Sequence, residues 1–439
     1  MNCDILISNG LIKTPENPNP DPDQPGFIAI RAGLIISIGA MAELPARISA
    51  AKTIDAKGCL VMPGLINTHN HCGMTLFRGL ADDLPLMSWL QEHIFPAEAK
   101  FVSKEMVYWC SKLAAAEMIL SGTTTVADGY FFEDEAARAF KESGLRAVAA
   151  QGVIDFPAPG VPDPNDNINN GARFIERWQD DNLITPGVFC HSPYTCRAQT
   201  IKKGYELAQR TGHRFFIHVA ETRPEVEESR KLHKVSPVKY LDRLGVLDEG
   251  TVCVHCVWLD DEDIKIIKES GTAVASCPKS NMKLAAGIAP IDKFIEAGIP
   301  VGLGTDGCAS NNKLDMFSEI STCAKLHKIK RFDPTLLPAG RVVTMATSGG
   351  AAVLGLQEKT GELTVGRQAD IIIIDLQKPH LTPMYNADSI LAYAASGSDV
   401  KTAIINGRLV MDNYQLQTID LAEVLARVNG LARQVRSAT

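Results

Sequence analysis

The sequence predicts an α/β chain: a (β/α)8 TIM barrel carrying a small β-sandwich domain built from both chain termini. Three observations predict it. Between residues 63 and 356, apolar β-rich runs alternate with amphipathic helical stretches, eight times over just under 300 residues, which is the length of such a barrel. The polar residues that stand out fall where those runs end, the face on which barrel enzymes carry their chemistry. Both flanks read instead as short strands and turns. A doubly wound sheet would want a glycine-rich phosphate fingerprint after an early strand, and none is present.

In chain order, 4–12, 27–38 and 51–61 have strand character, with a Pro/Asn/Asp loop at 15–25. The barrel strands are predicted at 65–69, 123–128, 147–154, 187–190, 215–219, 252–255, 273–276 and 301–304. Helices such as 105–120, 201–209 and 260–269 separate them. Beyond the barrel, 370–375 and 402–411 are again strand-like, the second with an Asn406-Gly407 hairpin signal. A last helix, about 421–435, is expected on the outside. Neither flank can bury a core alone, so 1–62 and 357–439 are expected to pair into one domain beside a catalytic barrel at 63–356.

Composition is that of an ordinary globular chain, 45% hydrophobic and 22% charged. Its formal charge, 44 − 51 = −7, is not gathered into blocks, which argues against nucleic acid or an anionic membrane as partner. No basic, apolar leader opens the chain and no run approaches eighteen apolar residues, so a cytoplasmic location is expected. Eleven scattered cysteines, an odd number, suit reduced thiols better than a disulfide framework. Cys253 and Cys256 form a CxxC around His255. On a strand, i and i+3 face opposite ways, so they are expected to be core thiols rather than joint chelators.

The chemistry gathers at four run ends. His69 and His71, spaced i, i+2, point to one side of a strand. His218 ends the run Phe215-Phe216-Ile217, with Glu221 three residues on; His255 ends another, and Asp306 lies in Gly304-Thr305-Asp306-Gly307. Three imidazoles and a carboxylate, His69, His71, His218 and Asp306, suit one Zn²⁺, with Fe²⁺ the alternative that imidazole also tolerates. One position would stay open for water.

These motifs, Pro63 to His71 (PGLINTHNH), Ser121 to Thr125 (SGTTT), His191 to Tyr194 (HSPY), His218 to Thr222 (HVAET) and Gly304 to Asn312 (GTDGCASNN), resemble those of the amidohydrolase superfamily. The branch is that of deaminases and chlorohydrolases of cyclic amidines, and within it the chain is similar to 5-methylthioadenosine/S-adenosylhomocysteine deaminases. The resemblance implies a zinc-dependent aminohydrolase in which His69, His71, His218 and Asp306 hold the ion. Asp306 would take a proton from the attacking water, Glu221 would protonate the ring nitrogen and then the departing ammonia, and His255 would steady the developing charge. The fourth run ends Val188-Phe189-Cys190-His191-Ser192 without the lysine of binuclear relatives. One metal is therefore implied, and His191 is free for substrate.

On substrate, the resemblance implies a small purine nucleoside. Trp89 would pack on it, Glu98 would accept bonds from ribose hydroxyls, and Ser310 would line the base pocket. Members adept with S-adenosylhomocysteine place arginines to grip its carboxylate, but this chain has Gln151 at the first such position, leaving Arg173 as candidate for the second. A preference for 5′-methylthioadenosine or adenosine follows. The alternative is a triazine or other N-heterocycle aminohydrolase or chlorohydrolase, including a guanine deaminase-like activity. Fold analogy adds a homo-oligomer.

Overall fold

The computed structural model describes residues 2–437. Eight parallel strands, β1 (Leu65–Asn70), β2 (Thr123–Tyr130), β3 (Arg146–Val153), β4 (Ile184–Cys190), β5 (Arg214–Val219), β6 (Thr251–His255), β7 (Ala273–Ser276) and β8 (Val301–Leu303), are hydrogen-bonded in sequence order. Nearly every residue in them is buried, as expected of strands covered on both faces. Phe189, Phe216, Val252 and Val254 are among the side chains that fill the barrel's interior. The ring closes where β8 meets β1, through Thr305 N donating to Asn67 Oδ1 at 3.0 Å and Asp306 N donating to the His69 carbonyl at 3.0 Å. Only glycine fits this seam at 302, where a Cβ would lie 2.4 Å from the Thr68 methyl.

The two ends of the chain share one mixed nine-stranded sheet. Its first strand, Asn2–Ile12, turns at Asn9 (φ +60°) with a register break between Ile7 and Gly10. Ile5 to Ile7 pair with Gly26–Arg31, and Leu11 and Ile12 run on beside Leu60 and Val61. The folded sheet encloses an isoleucine core that includes Ile7, Ile28, Ile30, Ile371 and Ile373, which makes it the expected sandwich. Two expected strands are each divided. A left-handed Ala32-Gly33 turn splits 27–38, and Gly58 (φ +74°) helps split 51–61 into Ser49–Asp55 and Cys59–Pro63. Asn406 (φ +49°) and Gly407 (φ +72°) form the primed turn foreseen between Val400–Ile405 and Arg408–Asp412. The last helix, Leu421–Arg436, packs against Lys104–Leu120, with Arg427 5.2 Å from the centre of the Trp109 ring. No described helix is long and apolar enough to cross a membrane.

Barrel and sheet are joined by a buried ion pair. Arg146, at the start of β3, grips both oxygens of Asp370 at 2.7 and 3.0 Å, with side chains 2% and 0% exposed. Replacing Arg146 with Ala strands a buried carboxylate and is expected to cost about 3–5 kcal/mol. Chemical denaturation checks this, a loss under 1 kcal/mol being the contrary result.

Candidate active site

The residues picked out by sequence converge at the carboxyl ends of the barrel strands. His69 Nε2 and His71 Nε2 each lie 3.5 Å from Asp306 Oδ1, and His218 Nε2 faces His69 Nε2 at 3.2 Å. Two clusters of potential metal-donor atoms share His69: one with His71 and Asp306, the other with His218 and His255. The His71 ring donates Nδ1–H to the Gly129 carbonyl at 2.6 Å, which leaves its Nε2 lone pair free. Burial pushes His69 down to about 4 and His218 well below its ordinary value, so both rings are neutral donors at pH 7. Burial opposes ionisation of Asp306, yet the His69, His71 and His255 rings together outweigh it and hold the carboxyl well below the usual range. Neutral imidazole nitrogens around one carboxylate oxygen fit a divalent cation of the zinc type.

Neighbours fix the remaining polar groups. Asp306 Oδ2 accepts from Ser280 Oγ at 2.6 Å and Ser310 Oγ at 2.8 Å, while Gly307 N donates to Oδ1 at 2.7 Å. The Asn281 Oδ1 lies 3.0 Å from His255 Nδ1, so His255 turns Nε2 toward Glu221 Oε2, 3.9 Å away. Burial raises the Glu221 carboxyl above its ordinary value. Three residues here hold left-handed backbone without being glycine: Ala220 (φ +51°), His255 (φ +71°) and Asp306 (φ +61°). Each such residue costs of order 1–3 kcal/mol, tolerated where surrounding contacts over-determine it.

His71, His218, Glu221, His255 and Asp306 line one end of a cavity at the mouth of the barrel. The segment after β1 covers it. Leu86–Ser88, a π-turn at Trp89–Ile94 and Phe95–Phe101 run together, and Phe95 N–H reaches back to the Leu90 carbonyl just before Pro96. Trp89 and Glu98 are thereby buried against the cavity. Glu98 accepts from Tyr130 Oη at 2.6 Å, a partner the sequence did not suggest, and burial pushes its carboxyl up to about 7. His191 also lines the cavity, its Nδ1 2.8 Å from Thr195 Oγ1.

Several expectations need correcting. Gln151 does not line the cavity: its amide turns back to the Gly152 carbonyl at 3.3 Å, and Gly152 and Val153 form the wall instead. Arg173 is exposed on Asn167–Trp178 and bonded to Asn170. Ser310 reaches the cavity, but its hydroxyl is directed to Asp306. Cys253 and Cys256 do not point apart, because left-handed turns at His255 and Cys256 end the strand and bring the two buried thiols within hydrogen-bonding reach. Ser280, Asn281 and Tyr130 lay outside every motif.

Residues 60–410 match the model of the amidohydrolase family. The chain is 48% identical to a 5-methylthioadenosine/S-adenosylhomocysteine deaminase of Syntrophobacter fumaroxidans, over 99% of each chain. It is 43% identical to a 5′-deoxyadenosine deaminase of Methanosarcina mazei, over 99% of this chain and 98% of that one. Among solved structures, a zinc-bound adenosine deaminase from Xanthomonas campestris superposes with a TM-score of 0.96 at 36% identity, covering 99% of both chains. With its barrel, terminal sheet and His/Asp cluster, this chain belongs to the amidohydrolase family.

Proposed function

We propose that this site hydrolytically deaminates adenosine-type nucleosides with a small uncharged 5′ substituent, 5′-methylthioadenosine or 5′-deoxyadenosine, and that its ion is zinc. The observation that carries this reading is a single cavity lined by the His/Asp cluster, by Glu221 and by the buried Glu98–Tyr130 pair. The names of the relatives support it. A divalent ion held by His69, His71, His218 and Asp306 supplies the Lewis acidity that makes water nucleophilic near neutral pH. Asp306 accepts a proton from the attacking water. Glu221 delivers its proton to the ring nitrogen beside the amidine carbon, regains one from the added hydroxyl as the carbonyl forms and passes that to the departing amine, while the proton held by Asp306 restores Glu221, so that water and substrate become the inosine analogue and ammonia. His255, fixed by Asn281, steadies the charge on the incoming oxygen. Trp89 packs against the nucleoside, His191 contacts it and Glu98 accepts from the ribose hydroxyls. A bare triazine or guanine would give the Glu98–Tyr130 pair no task.

An ammonia-release panel tests the proposal: adenosine, 5′-methylthioadenosine, 5′-deoxyadenosine, S-adenosylhomocysteine, guanine and melamine. Release from the nucleosides by protein holding one zinc per chain is expected. Turnover confined to guanine or melamine, or two metals per chain, would refute it. Glu98 adds a pH signature. Because its carboxyl is raised to about 7, the ionised acceptor is lost as pH falls through 7, and kcat/KM is expected to fall with it. Tyr130→Phe removes a bond that favours ionisation, so this limb should move to higher pH; an unmoved limb would separate Glu98 from ribose binding.

A further inference from the structure

The turn that carries Glu221 is held by a residue with no role in the scheme above. Glu225 is buried, and its two carboxylate oxygens accept consecutive backbone N–H groups, Ala220 N to Oε1 and Glu221 N to Oε2, each at 2.7 Å. On its other side, the Ala220 carbonyl accepts from Val257 N at 3.0 Å and Trp258 N at 2.9 Å, and Cys256 N donates to the Val219 carbonyl at 3.1 Å. The strained turn after β5, with Ala220 at φ +51°, and the strained turn after β6, with His255 and Cys256 at φ +71° and +50°, therefore brace one another. Glu225 closes that brace.

We propose that Glu225 is a positioning residue, which fixes the Glu221 carboxyl relative to His255 by gripping the backbone of residues 220 and 221. The inference rests on the reading of Glu221 as the proton carrier. The simpler account is helix capping, since Thr222 and Glu225 form a T-x-x-E pattern at the start of Arg223–His233, with Glu225 N 3.4 Å from Thr222 Oγ1. In a capping box, however, the glutamate returns to the N–H of the cap residue itself. Here the Thr222 N–H is the least of three backbone groups that hold the carboxylate, and both 2.7 Å bonds go to the two residues before it. Capping also needs no burial, whereas this carboxyl is buried enough to be pushed up to about 7.

Glu225→Gln offers one acceptor oxygen and turns an NH₂ toward the second N–H, so one of the two bonds is lost. The expected result is a kcat lower by about 10–100-fold, the scale of a misplacement near 1 Å. KM should stay within about twofold, bound metal should be unchanged, and the limb of the kcat–pH profile set by Glu221 should be displaced. Thr222→Ala removes only the cap and should lower Tm without moving kcat or the pH profile. A Glu225→Gln protein with lowered Tm but wild-type kcat and pH profile would leave capping as the sole role and overturn the proposal. Should that variant not fold, Glu225→Asp, one methylene too short to span both N–H groups, is read the same way. If Glu221→Gln is itself fully active, the failure lies in the underlying reading and not in this one.

Discussion

Glu221→Gln is expected to keep its metal and lose about 10²–10⁴-fold in kcat, the usual contribution of a positioned acid–base group. The amide has nearly the same shape, so packing in the cavity and the four residues proposed to hold the metal are undisturbed. What it cannot do is carry a proton. Burial raises the Glu221 carboxyl above its ordinary value, which favours the acid form that the ring nitrogen needs in the proposed reaction. A group that must enter protonated gives a kcat that declines as pH rises through its pKa, and the Gln variant should lack that limb. Metal analysis together with steady-state kinetics over pH checks both parts. Normal metal with turnover within about threefold of wild type would remove Glu221 from the chemistry.

The second large effect concerns the 5′ end of the substrate. Leu86, Ile94, Phe95, Ile154 and Leu284 give the cavity an apolar wall, and no described lysine or arginine lines it. An amino-acid carboxylate placed there would be stripped of water with no cation to receive it, at a cost of several kcal/mol. Since about 1.4 kcal/mol is tenfold, kcat/KM for 5′-methylthioadenosine is expected to exceed that for S-adenosylhomocysteine by about 10²-fold or more. Comparable values would mean that a cation reaches the cavity, and Arg173 would be the first residue to substitute.

The sequence made the barrel legible because its strands are buried on both faces and appear as unbroken apolar runs. His69, His71, His218 and Asp306 could be named because each ends such a run, and strand alternation alone aims the first two together. Groups that orient them were not legible. Ser280 and Asn281 lie just beyond β7 and meet Asp306 and His255 only across the barrel mouth, and Tyr130 meets Glu98 from 32 residues away. No local periodicity encodes such contacts. The opposed orientation expected for Cys253 and Cys256 failed for a different reason: strand alternation was extended one residue past the point where the backbone becomes left-handed. Gln151 shows the limit of reading a role from position, since its own strand supplies the cavity wall through neighbours.

The shared terminal sheet has a consequence for biosynthesis. Residues 59–63, which lead directly into the strand bearing His69 and His71, take their antiparallel partner from residues 371–375, and Gly64 N donates to the Asp370 carbonyl at 3.0 Å. During translation the ribosome must emit some three hundred further residues before that partner exists. The segment that leads into the first two imidazoles thus gains its antiparallel partner only after most of the polypeptide has been made.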